Sequence, residues 1–555
     1  MERRALTAVA ISLFILVIYQ GLLLPTFYPA GPHPTEPLSD SAPAAAPADA
    51  AAAPDSAAVA APAAAPAPAA AEEAVPDTRL VVETDQFIAT IQSRGARLES
   101  FALKKYGTTV ERDSPPQDVI VPGANQERPL GIELRGADNG GGVALISDAA
   151  AGYHVRSGAE RTVLTGDQST TIELEWNSPG GTIRKAYTFH GNRPDFSVDV
   201  HGENIASQYR EIGISYVGGE KAGKEVLFDR VSYLQGRKLI ERHVGASDLT
   251  EGEILPSDPG WVWSAFVGRY FVAAIVPIDL RNGRLWIKQR ETTLEQKLLL
   301  PVAGSSFDQQ IDVYLGSKRI ETLEAVGHNL GRAVDMGWFS FIALPLLWLL
   351  RHSHQITGNY GIDIILLTVM IKILFLPLTR KSFESMRAMQ QLQPQMQQLR
   401  EQYKDKPEEM NKQVMELYRR HGVNPLGGCL PMLVQIPVFI GLYQALSNAV
   451  ELRHAPFFLW ITDLSAPDRL GTLAIPFVDP PGIPVLTLVM GATMFVQQWM
   501  SPSTGDPTQR QMMMIMPLMF TFMFVNFPAG LVLYWTVNNV LTVAQQYYIT
   551  RNATA

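Results

Sequence analysis

Residues 361–379 read GIDIILLTVMIKILFLPLT. A helix of that length covers about 28 Å at about 1.5 Å per residue, close to the roughly 30 Å hydrocarbon core of a bilayer. Lys372 interrupts the apolar run seven residues before its end, roughly 10 Å inside one leaflet. A centred lysine costs about 2.5–3.5 kcal/mol on insertion scales. Its stem can snorkel to the headgroups, or its ammonium can face a water-filled cavity. Thr368, four residues earlier, shares its helical face. Pro377 frees the carbonyl of Ile373, which also wants polar surroundings.

Outward from this stretch, further apolar segments occupy roughly 430–448, 484–500, 512–527 and 530–548. The last has a polar stripe at spacings of three and four: Asn538, Asn539, Thr542, Gln545 and Gln546, with Trp535 above. Gln435, Gln444, Ser447 and Asn448 add polar groups to the segment at 430–448. Buried amides must find partners. Helix-to-helix bonding would use some of them, but so many beside a lysine favour a hydrated groove open to the cytoplasm and closed towards the outside. The candidate substrate-binding groove is therefore Lys372, Thr368, Gln435, Trp535, Asn538, Asn539 and Thr542.

Residues 5–24 are almost wholly apolar and follow Arg3 and Arg4. Their length suits an uncleaved anchor better than the 7–15-residue core of a typical signal peptide. With this anchor (1–28) the expected spans number six. Between 41 and 75, 21 of 35 residues are Ala and 6 are Pro, so 29–77 reads as a tether that can form no core. The loop at 380–428 has nine Lys/Arg against two in 450–483. The positive-inside rule puts the first loop in the cytoplasm, and with it both termini. Residues 29–358 then lie outside.

Charged residues make up 18% of the 555, below the roughly 25% of soluble domains. The net charge is -8. No basic excess suits sequence-specific nucleic-acid binding, and the single cysteine, Cys429, excludes internal disulfides and four-cysteine zinc sites. Within 78–330, apolar residues alternate with polar ones at Ile172/Leu174/Trp176, Phe196/Val198/Val200 and Ile311/Val313/Leu315. Turn signals separate such runs, as at 177–181, 191–194 and 139–142. This predicts a large antiparallel β-sandwich. Residues 317–335 then read as a helix leading back to the membrane. The 14 apolar residues at 337–350, broken by Pro345, are short for a span and predict an interfacial amphipathic helix within 331–358.

Within 380–428, Met386, Met389, Leu392, Met396, Leu399 and Tyr403 recur at helical spacing. Residues 404–407 (KDKP) break the run, and Met410, Val414, Leu417 and His421 resume it. The pattern predicts a helical hairpin with a coiled-coil seam, kinked at Pro394. It either packs on itself alone or serves as a contact arm for a cytoplasmic partner.

Catalytic signatures are weak. Gly218–Glu225 fits GxxxxGK, but Glu225 replaces the Ser or Thr that would hold magnesium. His352 and His354 form H-x-H without neighbouring ligands. Asp363 lies near the outer end of its span, within expected reach of water. Trp261, Trp263 and Trp286 suit the sandwich core better than a sugar platform. No cofactor, metal site or enzyme is expected. A cationic half-membrane groove would instead draw a polar or acidic peptide partway across while its apolar parts slide into lipid. Client burial and the membrane potential would supply the energy. A channel or secondary transporter with an external sensing domain is the alternative; the internal repeat common in transporters is not evident.

Several motifs resemble a known family: Asn424-Pro-Leu-Gly-Gly-Cys-Leu-Pro431, Gln435-Ile-Pro-Val-Phe-Ile-Gly-Leu-Tyr443, Pro456-Phe-Phe-Leu-Trp460 with Asp463-Leu-Ser465, Met500-Ser-Pro502, and Phe527-Pro-Ala-Gly-Leu-Val-Leu-Tyr534. The region 331–550 is similar to the YidC/Oxa1/Alb3 family of membrane protein insertases, in its Gram-negative form. That resemblance implies a membrane insertase and chaperone for bacterial inner-membrane proteins, acting on nascent chains alone or with the Sec translocon. It also implies a five-helix core (359–550) and a periplasmic domain similar to sugar-processing folds without their chemistry. The hairpin would face the ribosome, targeting factors or the nascent chain. The family's basic groove residue, usually Arg, falls at Lys372, which keeps the charge without the bidentate fork. Thr368 and Trp535 match further groove positions.

Overall fold

The computed structural model describes residues 75–552 apart from 112, 121–126, 137–143, 220–225, 244–252, 256–259, 279–282, 291–292, 405, 424–429 and 501–506. The expected anchor and nearly all of the tether lie outside these residues. So do the turn at 139–142, most of the GxxxxGK stretch, and parts of the motifs at 424–431 and 500–502.

Alternation gives strands where it was expected. Ile172, Leu174 and Trp176 are buried on Ser169–Ser178, Phe196, Val198 and Val200 on Asp195–Glu203, and Ile311, Val313 and Leu315 on Phe307–Ser317. Sheets of five, nine and six strands enclose one large apolar core. The Pro179–Gly180 turn joins Ser169–Ser178 to Gly181–His190 in register, Ser178 facing Gly181. One pairing departs from the antiparallel expectation: Arg79–Glu83 runs parallel to Arg161–Val163. Trp261 and Trp263 are core residues, and Trp286 is half-buried with the Lys297 ammonium 5.1 Å from its ring centre.

A buried ion pair ties the sheets together. Lys185 Nζ donates to Asp148 Oδ2 at 2.7 Å and to the carbonyls of Gly95, Ala96 and Leu130 at 2.8, 3.2 and 2.8 Å. Asp148 also accepts from Arg97, the Ile132 amide and the Tyr153 hydroxyl. Burial lowers the Lys185 pKa to about 8, although the Asp148 carboxylate pulls the other way.

The expected helix over 317–335 is not continuous. A short helix α1 (Ile320–Val326) stops at Gly327 (φ +90°), and His328 and Asn329 follow with φ of +52° and +58°. Three consecutive left-handed residues cannot continue a right-handed helix. Helix α2 (Ser340–Thr357) accommodates Pro345 and buries Ala343, Leu347 and Leu350, while Trp338, Phe341 and Trp348 stay exposed. It continues beyond the apolar run that ends at 350, to a cap at Gly358 in the left-handed conformation.

Helix α3 (Tyr360–Gln391) contains the opening sequence, passes Pro377 without a break and continues to Gln391. Asn359 caps it, accepting from the Gly361 and Ile362 amides. Helix α4 (Gln393–Gln402) restarts after a one-residue break at Leu392, with Pro394 in its first turn. Proline is tolerated there because the first-turn amides have no intrahelical partner. Helix α5 (Pro407–Arg420) packs back on α4 through Met389, Leu392, Met396 and Tyr418. Tyr418 donates to Met396 Sδ at 3.1 Å; the seam uses Tyr418, whereas His421 is exposed.

Four further helices follow: α6 (Leu430–Asn448), α7 (Val485–Met500), α8 (Pro507–Phe524) and α9 (Ala529–Asn552). Among the described residues α3 alone is long and apolar enough to cross a bilayer by that test, and Val485–Met500 and Met513–Phe524 are shorter apolar helices.

The sandwich and the helices meet along 447–453. Val450 is buried in the sandwich core. Arg453 donates to the Gly107 carbonyl at 2.7 Å and to Gln117 Oε1 at 2.9 Å. Glu451 pairs with Arg351 at 2.9 Å and Arg319 at 3.2 Å. Asn448 accepts from the buried Lys318, and the Ser447 carbonyl from Arg269. Ser447 and Asn448, noted from sequence as polar groups of the segment at 430–448, belong to this junction.

Removing one member of a buried pair leaves the other uncompensated, at a cost of about 3–5 kcal/mol. Lys185→Met should therefore lower sandwich stability by that order in urea unfolding of the full chain. Adding Asp148→Leu should recover much of it. An unchanged midpoint for Lys185→Met would show that the pair contributes nothing.

Candidate functional site: a polar seam along the last helix

Helix α9 touches three neighbours through its polar residues. Towards α3, Lys372 Nζ donates to Thr542 Oγ1 at 2.7 Å, and Thr542 donates to the Asn538 carbonyl at 2.6 Å. Two turns of α3 further from the sandwich, Gln545 Nε2 donates to Thr379 Oγ1 at 2.8 Å. Towards α7, Asn539 Nδ2 donates to Thr493 Oγ1 at 3.2 Å, and Gln546 Nε2 to the Met500 carbonyl at 2.7 Å. Towards α6, Gln435 donates to the Tyr534 hydroxyl.

The expected single stripe is thus divided. Neighbouring helical residues point about 100° apart at 3.6 residues per turn. Asn539 and Gln546 turn to α7 and are buried, whereas Asn538, Thr542 and Gln545 line the α3 side and are half-buried. Thr368 is buried and donates to the Ile364 carbonyl of its own helix at 2.6 Å. Trp535 packs edge-on to Phe439, with ring centres 4.8 Å apart, and also meets Phe520 and Phe524. Lys372 and Thr542 are brought together directly; Gln435 and Trp535 line the α6 side of the same helix. Sequence reasoning missed Thr379, Thr493 and Tyr534. Tyr534 lies within a quoted motif, and its hydroxyl in an apolar run was the available signal.

Burial changes along the bundle. Ile364, Leu367, Thr368 and Ile371 are buried on α3, while Lys372 and Thr379 are half-buried. Loop 449–484 covers the sandwich-side end. Its Ile461 and Leu464 join the apolar core of the helices. The Ala466 and Leu464 carbonyls accept from the Ala529 and Gly530 amides at the start of α9. Asp468, buried, accepts from the Leu486 amide and Thr487 hydroxyl at the start of α7. Phe457 packs so closely on Gly361 that a Cβ there would approach its ring to 1.9 Å.

Asp363, expected near water, is fully buried. Thr357 Oγ1 donates to it at 2.7 Å, and His354 Nδ1 lies 2.9 Å from its other oxygen. His354 also stacks on Tyr360 at 3.5 Å. His352 instead contacts Trp348 of its own helix. Among the described residues no three His, Cys, Asp or Glu converge as a metal site.

Two family descriptions match nearly all of the described chain: a YidC periplasmic domain over residues 79–349 and a 60Kd inner membrane protein over residues 352–555. The membrane protein insertase YidC of Pelobacter propionicus is 39% identical over 583 residues, covering 99% of each chain. That of Syntrophobacter fumaroxidans is 39% identical over 570 residues, covering 100% of each. A solved active YidC insertase aligns with 86% of this chain and 95% of its own at 19% identity, with a TM-score of 0.37. Identity at this level over full length leaves one conclusion: the chain belongs to the YidC family of membrane protein insertases, inner-membrane proteins with a periplasmic domain, here a β-sandwich joined to a helical C-terminal region.

Proposed function

We propose that the protein inserts, folds and assembles nascent inner-membrane proteins, alone or with the Sec translocon, through a hydrated cationic groove between α3 and α9. The observation that carries this reading is the half-buried Lys372 ammonium bonded across to Thr542. It is set in the apolar stretch 364–378 of α3, and Thr368 and Ile371 on its sandwich side are buried. A polar or acidic client segment enters from the side opposite the sandwich, is held by the ammonium and the Asn538 and Thr542 groups, and has less hydrocarbon left to cross. Its apolar flank moves into lipid. Gln435, Asn539 and Trp535 shape the α6 and α7 walls.

In this reading α3, α6, α7, α8 and α9 are five spans and residues 5–24 a sixth. Both termini and the α4–α5 hairpin are cytoplasmic, and residues 29–358 are periplasmic. The alternating chain direction supports it: the starts of α3, α7 and α9 all contact loop 449–484. Helix α2 lies along the membrane surface, its exposed Phe341 and Trp348 and the preceding Trp338 in the interface where such side chains reside. The hairpin receives the ribosome, targeting factors or the emerging chain.

Reconstitution of the protein alone in liposomes, with a small single- or double-span client, tests the function. Protease-protected client is expected; solute flux without insertion would favour a channel. Lys372→Arg should retain activity. Lys372→Ala should lower insertion of clients with acidic translocated segments about tenfold or more, because hydrogen bonds to charged groups are worth about 1.5–3 kcal/mol. Neutral clients should suffer less, and an equal loss for all clients would remove the electrostatic role.

Removal of much of 80–300 should leave insertion partly intact, since the seam lies in the later helices. The bundle should nonetheless lose resistance to heat in detergent, because Val450 and Arg453 would lose their sandwich partners. Abolished insertion by a folded deletion variant would place an essential function in the sandwich.

A further inference from the structure

Loop 449–484 holds two bulky apolar residues outward. Leu459 is 88% exposed with φ +58°, and Phe477 is 77% exposed with φ +66°. Left-handed backbone is unfavourable for bulky side chains and persists only where neighbouring structure imposes it. Both positions are so constrained. Around Leu459, the Ile461 amide donates to the Phe458 carbonyl and the Phe457 amide to the Ile461 carbonyl. Around Phe477, Asn526 donates to its carbonyl and accepts from the Asp479 amide, while Arg469 donates to Asn526 Oδ1 and to the Asp479, Pro480 and Val525 carbonyls. A surface in water gains nothing from fixing Leu and Phe outward.

The two residues continue the exposed apolar surface of the helices. Phe477 meets Phe522 of α8 edge-on at 5.9 Å, and Phe522 is itself half-exposed. Phe458, exposed beside Leu459, packs on Phe457, which seals the start of α3 at Gly361. Leu473 is exposed on the same loop.

We propose that loop 449–484 is a lipid-inserted collar: Leu459 and Phe477, with Phe458 and Leu473, enter the acyl boundary of the leaflet on the sandwich side and continue the exposed apolar surface of α8. The occupant is the bilayer itself. Leu459 beside α3 and Phe477 beside α8 grip it at separate points, which fixes the depth of the bundle and hence of Lys372. This inference rests on the reading of α3, α7 and α8 as spans.

The test uses full-length protein with Cys429→Ser, reconstituted in phosphatidylethanolamine/phosphatidylglycerol vesicles. Single cysteines replace Leu459, Phe477, Leu518 and Val163 and carry a nitroxide label. Leu518 is an exposed residue of α8, and Val163 an exposed residue of the sandwich. Accessibility to oxygen is compared with accessibility to a water-soluble nickel chelate. The expected result is oxygen-dominated relaxation at 459, 477 and 518, and nickel-dominated relaxation at 163. Nickel dominance at either 459 or 477 with oxygen dominance at 518 would overturn the collar and leave the spans intact. Nickel dominance at 518 would overturn the spans and the collar together. A charged replacement, Phe477→Glu, should move the 518 label to a different depth, and an unchanged depth would contradict the anchoring role.

Discussion

The one cation within the apolar stretch 364–378 of α3 constrains the arrangement of the whole helical region. The Lys372 ammonium needs an oxygen within hydrogen-bonding distance, and Thr542 of α9 provides it. That places the first and last helices of the bundle side by side. Thr542 in turn donates to its own helix at Asn538, so its hydroxyl oxygen faces α3 with no competing proton. The opposite side of α9 is fixed by Asn539 and Gln546 against α7. Polar residues, each costly if left unpaired in hydrocarbon, thus specify which helices are neighbours, a choice that apolar packing alone leaves degenerate.

The constraint also has a direction. Towards the sandwich the bundle is closely packed: Thr368 is satisfied within α3, Tyr534 is buried, and loop 449–484 covers the helix ends. Away from the sandwich, Lys372, Thr379, Thr542 and Gln545 between α3 and α9 are half-buried, while Gln546 is buried against α7. On the proposed account this gradient converts one lysine into a receptor for hydrophilic client segments. The sandwich is held to the covered end through Val450, Arg453 and the Glu451 ion pairs, so it braces that end without contributing a side chain to the seam.

Much of this was legible because the signals were periodic. Alternation at 172–176, 196–200 and 311–315 reports one buried face, and the strands followed. Pro394, expected to kink a helix, and Pro407, expected within a break, both fall in the first turn of a new helix. The helix expected over 317–335 failed because apolar spacing does not register that His328 and Asn329 adopt left-handed backbone after Gly327. The polar stripe was read as one face because residues 538–539 and 545–546 are adjacent in sequence while pointing to different helices. Asp363 was placed in water because its partners, His354 and Thr357, lie on a separate helix whose packing no local pattern encodes. The junction was invisible for the same reason: Arg453 and Gly107 are 346 residues apart.

The account stands or falls on one-sided water at the seam. In sealed, oriented vesicles of the Cys429→Ser protein, Asn538→Cys and Thr542→Cys should react with a membrane-impermeant thiol reagent added on the side opposite the sandwich, and remain unreactive from the sandwich side. Silence from both sides at both positions would mean that α3 and α9 enclose a dry polar contact, and reaction from both sides would mean a continuous pore. Either result contradicts a groove closed at one end.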